Sequence, residues 1–341
     1  MVVLVVPEGT VNIHDYAYED RTDITEVFIP ASVKYIGKCA FDGCSGIIDI
    51  YLPEGLEFIG DFAFSGCSGI IDIRLPEGLE FIGKFAFYKC TGITSLHLPS
   101  MLKSIGDGAF SSCSGIIDIH FSDALHSIGD GVFYKCTGIV DLHLPSTLKS
   151  IDKCAFDGCS SIVNLHLPNT LETVGDNAFC DCSGIVDVHL PDALKTIGDG
   201  AFSRCSALAN LVLPAGCTSV GQGNSTWKDG AFHGCSGLSR VLAPDALTKG
   251  DMADPSNVFK GCPVLAVGLT PYSAVPPLRR IFWHPTMIAF CTPGQRDCVL
   301  AVLVSEQRSD LQDADTAPLP VLAHDLWLLI LEFVPRHRLG F

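Results

Sequence analysis

The sequence predicts a repeat solenoid with a parallel β-sheet on its concave face, short turns or single helical turns on its convex face, and a small helical C-terminal segment. Three observations predict it. Cys44, Cys67, Cys90, Cys113, Cys136, Cys159, Cys182 and Cys205 follow one another at intervals of 23 residues. A phenylalanine stands three residues before each, from Phe41 to Phe202. A proline stands nine residues after each, from Pro53 to Pro214, with Ser122 as the break in the series. A fixed period marks stacked supersecondary units, each too small to bury its own apolar face. Looser spacing carries the pattern through Phe232, Cys235 and Pro244 and through Phe259, Cys262 and Pro271, while Pro7 and Pro30 carry it backward. The repeat region is therefore expected to span residues 1–271 in about twelve turns.

Each part of the unit Cys67 to Lys89 has its own physical sense. The β-branched segment Ile70 to Leu75, with Gly69 before it and Pro76 after it, reads as a short strand. Proline has no N–H to give a ladder and so ends the strand. The stretch around Gly83 to Phe87 is too short for a full helix and reads as a tight turn or one helical turn. Ile, Leu and Phe of one unit can be buried only against the next unit, so all the units share one core.

Side chains on a strand alternate between faces. Ile73 and Leu75 in the core would leave Asp72 and Arg74 on the concave face, and the same offsets apply to every turn. The concave face is then two columns. One runs Glu26, Asp49, Asp72, Ser95, Asp118, Asp141, Asn164, Asp187, Asn210, Arg240; the other runs Phe28, Tyr51, Arg74, His97, His120, His143, His166, His189, Val212, Leu242. The five consecutive histidines are expected to stack at roughly the 5 Å strand spacing. Core packing requires neither a histidine ladder nor a line of carboxylates. Such a face is either a solubilising surface or a protein-binding stripe. In the second case Tyr51, Asp72, Arg74, His97, Asp118, His120, Asp141, His143, His166, Asp187 and His189 are the contact residues. Neighbouring histidines could also share a divalent ion, although the sequence offers no closed tetrahedral ligand set.

The ten cysteines locked to the period form a ladder and not a C-x-x-C metal pair, and their place beside Phe and Gly marks them as small buried core residues. Two late turns carry insertions: Cys217 to Phe232 spans 15 positions where regular turns have 8, and Leu247 to Phe259 spans 12. The first holds Trp227 in a polar loop, a possible loop contact for a partner. No Gly-rich phosphate loop, nucleophile elbow or metal motif occurs, so no enzyme, catalytic residue, metal centre or cofactor is expected.

The 38 Asp and Glu outnumber the 22 Lys and Arg, for a formal charge of −16, and 31 of the acids precede Tyr272. An acidic surface repels a phosphate backbone and favours a basic protein or a cation, so nucleic acid is not an expected partner. The N-terminal apolar run from Met1 to Pro7 has no positive start and is short for a signal-peptide core. No later run approaches a membrane-spanning length, so no membrane partner is expected and the location is expected to be intracellular, in the cytoplasm. Asn224-Ser225-Thr226 matches the glycosylation acceptor pattern, which would be unused there.

After Pro271 the period ends. Residues 272–318, with Pro276-Pro277, read as a linker and a small non-repeat segment. Residues 319–341 read as a terminal helix from about Asp325 that Pro335 stops.

The recurring Cys67, Ile70, Ile73, Leu75-Pro76, Leu79, Ile82-Gly83 and Ala86-Phe87 resemble the repeat of the BspA-type leucine-rich-repeat family. The resemblance implies a right-handed solenoid with its parallel sheet on the concave face, used to bind proteins. Bacterial members are often secreted and surface-attached; the expected intracellular location suits members from single-celled eukaryotes. Leu319-Pro320 followed by Leu326 to Pro335 is similar to the opening helix of an F-box. The expected function is a non-enzymatic protein-interaction scaffold that holds its partner on the concave face, with the tail capping the solenoid or docking a second protein. The alternatives are a substrate adaptor of a ubiquitin ligase acting through the tail, and a surface-adhesion or metal-binding repeat protein. Oligomeric state stays open.

Overall fold

A computed structural model describes residues 2–223, 229–243, 254–264 and 269–271. Trp227, residues 272–318 and the terminal segment 319–341 lie outside the described residues. The chain divides into a unit of residues 1–269 and a second of residues 270–341. The first is a stacked solenoid of parallel strands.

Every regular turn supplies a strand of two or three residues to a first sheet, as in Asp72–Arg74 and Ser95–His97. The pairing is parallel and shifted by one period, so Asp72 faces Ser95, Ile73 faces Leu96 and Arg74 faces His97. Ile73 and Leu96 point into the core while Asp72, Arg74 and His97 are exposed. The strand is shorter than the expected Ile70 to Leu75. Ile70 and Ile73 are both buried, and two residues three apart cannot share one face of a strand that alternates. A turn closes just ahead of the strand, with the Ile70 N–H donating to Cys67 O at 3.3 Å, so Ile70 lies outside the alternating segment.

A second parallel sheet, which the sequence did not foretell, runs along another side. Its ten strands have two residues each and form two ladders of five, from Asn12–Ile13 to Ser104–Ile105 and from Ser127–Ile128 to Ser219–Val220. Phe81–Ile82 is typical: it pairs with Phe58–Ile59 before it and Ser104–Ile105 after it. A glycine follows most of these strands, with His14 and Asp152 as exceptions, and it suits a place where successive turns pass close. A Cβ on Gly83 would stand 2.5 Å from the backbone nitrogen of Asp61, and one on Gly106 would stand 2.5 Å from that of Lys84.

A third ladder joins the outer corners, where Phe85, Phe87 and Lys89 donate their N–H groups to Asp107, Ala109 and Ser111 of the next turn at 3.0, 2.8 and 2.9 Å. Two left-handed residues make each corner, such as Phe85 (φ 52°) and Lys89 (φ 57°), and glycine takes the same places in other turns, such as Gly108 and Gly66. The corners are hydrogen-bonded turns. Helix occurs among the described residues in the last corner, Pro255–Val258, capped by Asp254, whose carboxylate accepts from Ser256 N–H.

The core is a column of rings. Phe41, Phe64, Phe87 and their counterparts to Phe259 are fully buried. Consecutive rings lie 5.1 to 5.8 Å apart and within 15° of parallel. Each such pair is worth about 0.5–1.5 kcal/mol beyond simple burial. Beside them stands the cysteine ladder. The Cys67 thiol donates to Phe41 O at 3.1 Å, Cys90 to Phe64 O at 3.0 Å and Cys113 to Phe87 O at 3.0 Å. The cysteine thus fills a small core space and adds a hydrogen bond between turns. The described cysteines are free. Burial pushes the Cys113 thiol up to about 12, so this sulfur stays protonated and unreactive.

The stack opens at one turn. Asp118–His120 does not pair with Asp141–His143, nor Ser104–Ile105 with Ser127–Ile128, so both sheets are interrupted at the same place. The first sheet has another break between Asp49–Tyr51 and Asp72–Arg74. At the shared opening Ile105 and Ile119 are half-buried, whereas Ile82 and Ile73 one and two turns away are fully buried. The outer corner holds: Gly108, Phe110 and Ser112 still donate to Asp130, Val132 and Tyr134. Two side chains depart from the repeat here. Ser122 replaces proline, and Phe121 replaces the leucine found at Leu75, Leu98 and Leu144. A larger side chain in a space shaped for leucine forces neighbouring backbone apart.

Candidate interaction face

The exposed face of the first sheet is assembled by register alone, because every turn presents the same strand offsets to solvent. Of the eleven contact residues expected from the sequence, Asp187 is half-buried and the other ten are exposed. At one end Phe28 and Tyr51 lie in open solvent with their rings stacked 5.2 Å apart at 11°. Two exposed aromatics in contact offer a partner apolar area at small entropic cost. Next along the face Arg74 Nε stands 3.6 Å from Asp72 Oδ2, an exposed and weak pair.

The histidines do not form the continuous stack expected. They form two stacked pairs, His97–His120 at 4.1 Å and 6°, and His143–His166 at 4.2 Å and 4°. The opened turn separates the two pairs, since His120 and His143 belong to strands that do not pair, and His189 lies beyond its strand, which ends at Val188. The carboxylates join the pairs unequally. Asp118 Oδ2 lies 3.5 Å from His120 Nδ1. Asp141 Oδ1 lies 3.2 Å from His143 Nε2 and 3.4 Å from His166 Nε2, so it touches both rings of its pair.

Two further exposed rows escaped the sequence analysis. Ile48, Ile71, Ile117, Val140 and Val163 precede the acidic column and are 40 to 60% exposed. The signal was present in the paired Ile70-Ile71, since only the first of two adjacent apolar residues can face the core. On the second sheet Tyr35, Phe58 and Phe81 are also exposed, with ring centroids 6.3 Å apart and tilted. Tyr35 and Phe58 line an open groove that includes His14, Asp15, Lys38 and Asp61. No described helix is long and apolar enough to cross a membrane.

Parallel strands stacked in one-period register, with a phenylalanine and cysteine spine and an open sheet face, define a leucine-rich-repeat solenoid. The profile of the BspA type leucine rich repeat region, spanning six copies, matches residues 11–139 and 126–266. The chain belongs to that family. It is similar in structure to a leucine-rich repeat protein from Bacteroides ovatus, at 25% identity and a TM-score of 0.66, over 76% of this chain and 73% of that one. A leucine-rich repeat protein from T. pallidum matches at 27% identity and a TM-score of 0.45, over 54% of this chain and 78% of that one. The pneumococcal vaccine antigen PcpA matches at 22% identity and a TM-score of 0.48, over 71% of each chain. Among curated proteins none matches.

Proposed function

We propose that this solenoid is a non-enzymatic scaffold that binds a protein of basic character on the exposed face of its first sheet. The observation that carries this is the composition of that face. An exposed stacked aromatic pair, Phe28 and Tyr51, adjoins a row of solvent-exposed aliphatic residues and a row of carboxylates, all in fixed register. Exposed apolar rows rimmed by charge are the usual make-up of a docking surface. The carboxylates would steer a basic partner and set its orientation, and the aromatic and aliphatic residues would supply affinity. Placement within the cell's interior is part of the same proposal. The adaptor reading rests on residues 319–341, outside the described residues, and is not taken further.

The test places a photo-cross-linking residue at Tyr51, at His189 or, on the outer corner, at Ser112. The scaffold reading expects partner cross-links from the first two and not from the third. It also expects affinity to fall as salt rises, and to fall when Asp72, Asp118 and Asp187 are changed together to Asn. Cross-links of equal yield from Ser112, or an affinity indifferent to those substitutions, would overturn it.

A further inference from the structure

We propose that Asp141, His143 and His166 form an open, three-ligand site for a divalent transition-metal ion. One ligand atom from each residue lies within 4.8 Å of the other two. The separations of Asp141 Oδ1 from the two Nε2 atoms, 3.2 and 3.4 Å, suit donors around a single ion. At the roughly 2.0–2.2 Å reach of nitrogen and carboxylate oxygen to zinc, ligands at tetrahedral or right angles stand about 3.0–3.5 Å apart. The ladder that pairs His143 with His166 brings the two side chains together with their rings parallel at 4.2 Å, and each exposed ring would tilt to aim its in-plane Nε2 lone pair at the shared ion.

Register explains why this pair of turns forms the site. It requires two stacked histidines and an aspartate in the earlier of the two turns. His97 and His120 stack, but the earlier turn has Ser95. Asp118 precedes His143 by one turn, but the ladder between them is broken. His166 and His189 follow Asn164. The elements meet at Asp141 alone among these turns.

The donor set names the class of ion. Two imidazoles and one carboxylate suit zinc, cobalt, nickel or copper in the divalent state, whereas magnesium and calcium prefer all-oxygen sites. The surrounding acidity, −16 over the chain, raises the local concentration of cations. All three side chains are exposed, so the ion would keep its remaining positions open to water or to a donor from another molecule. The ladder thiols, such as Cys113 and Cys136, are turned to carbonyl oxygens inside the core, while Cys180 stands with Asp157 and Asp181 in a separate group that a thiolate charge-transfer band would reveal.

The experiment titrates the full chain, free of any affinity tag and of partner, with Co2+ alone and follows its visible ligand-field absorption. One saturable ion per chain is expected, without a thiolate charge-transfer band. His143→Asn and His166→Asn should each weaken it at least ~10-fold, Asp141→Asn should weaken it as well, and His126→Asn should leave it unchanged. Ser95→Asp should add a second ion by completing the His97–His120 pair. In the unaltered chain, substoichiometric Co2+ should broaden the ring signals of His143 and His166 before those of other histidines. Absence of saturable binding, binding that survives the double His143→Asn/His166→Asn change, or equal competition by Mg2+ would overturn the site. Because no partner is present, these outcomes are independent of the scaffold reading.

Discussion

The ring of Phe121 stands edge-on to that of Phe133, with centroids 5.8 Å apart and planes at 81°. Phe133 belongs to the buried spine, and its step from Phe110 is also 5.8 Å, the widest in the column. The wedge and the wide step occur where both sheets lose their pairing.

Replacing Phe121 by Leu together with Ser122 by Pro restores the repeat at that turn and should close both ladders. The Gly129 N–H would then reach Ile105 O, as the Gly106 N–H reaches Ile82 O at 2.8 Å. A stability gain of about 1 kcal/mol is expected, the relief of overpacking exceeding the lost edge contact. Denaturant unfolding and hydrogen exchange at Gly129 and Val140 measure it. Unchanged exchange at those two amides would show that the wedge does not hold the turn open.

Cys113 tests the thiol ladder. Its thiol donates to Phe87 O from a fully buried place. Cys113→Ala should cost about 1–2 kcal/mol, combining a lost hydrogen bond with a small cavity. Cys113→Asp should cost more than 3 kcal/mol or prevent folding, since a carboxylate there has no partner. Equal stability of the alanine variant and the parent in urea melts would remove any energetic role for the hydrogen bond.

Ser112 tests the corners. It holds φ at 62°, where an L-residue is strained and where other turns place Gly66 or Gly158. Ser112→Gly should stabilise the chain by about 0.5–1 kcal/mol, the relief of strain exceeding the extra freedom glycine gives the unfolded chain. A thermal melt reads this directly; a lower midpoint would contradict it.

Asp157 gives a pH dependence. Burial, and then the charge of Asp181, push its carboxyl from 3.8 up to about 6. The folded chain therefore binds this proton more tightly than the unfolded chain does. Relative to the protonated carboxyl it costs nothing below about pH 4; stability is lost as pH rises from there through about 6, and the full cost stands above that. Asp157→Asn should thus stabilise the protein at pH 7, on the order of 1 kcal/mol after allowing for solvent at this half-buried group, with little effect at pH 4. Urea melts at both pH values decide it, and an equal effect at both would show that the charge is not the cause.

Much of this architecture was legible in the sequence. The 23-residue period placed Phe87 and Cys90 in the core and Asp72, Arg74 and His97 on an open sheet face, because a unit that repeats must bury the same positions against the same neighbours in every turn. What passes between turns was not legible to the same degree. The strand Phe81–Ile82 has too few residues to show alternation, and it exists only because the turns on either side offer matching backbone groups. The histidine column was readable as a row, yet its division into pairs follows the unpaired step between Asp118–His120 and Asp141–His143, where Phe121 stands against Phe133. That Asp141 reaches the rings of both His143 and His166 is likewise decided by pairing between segments a full period apart. Burial is a property of each residue within its own turn, and the repeat prints it in the sequence; contact between turns is a property of the stack, where one oversized side chain can separate residues that the period alone would place together.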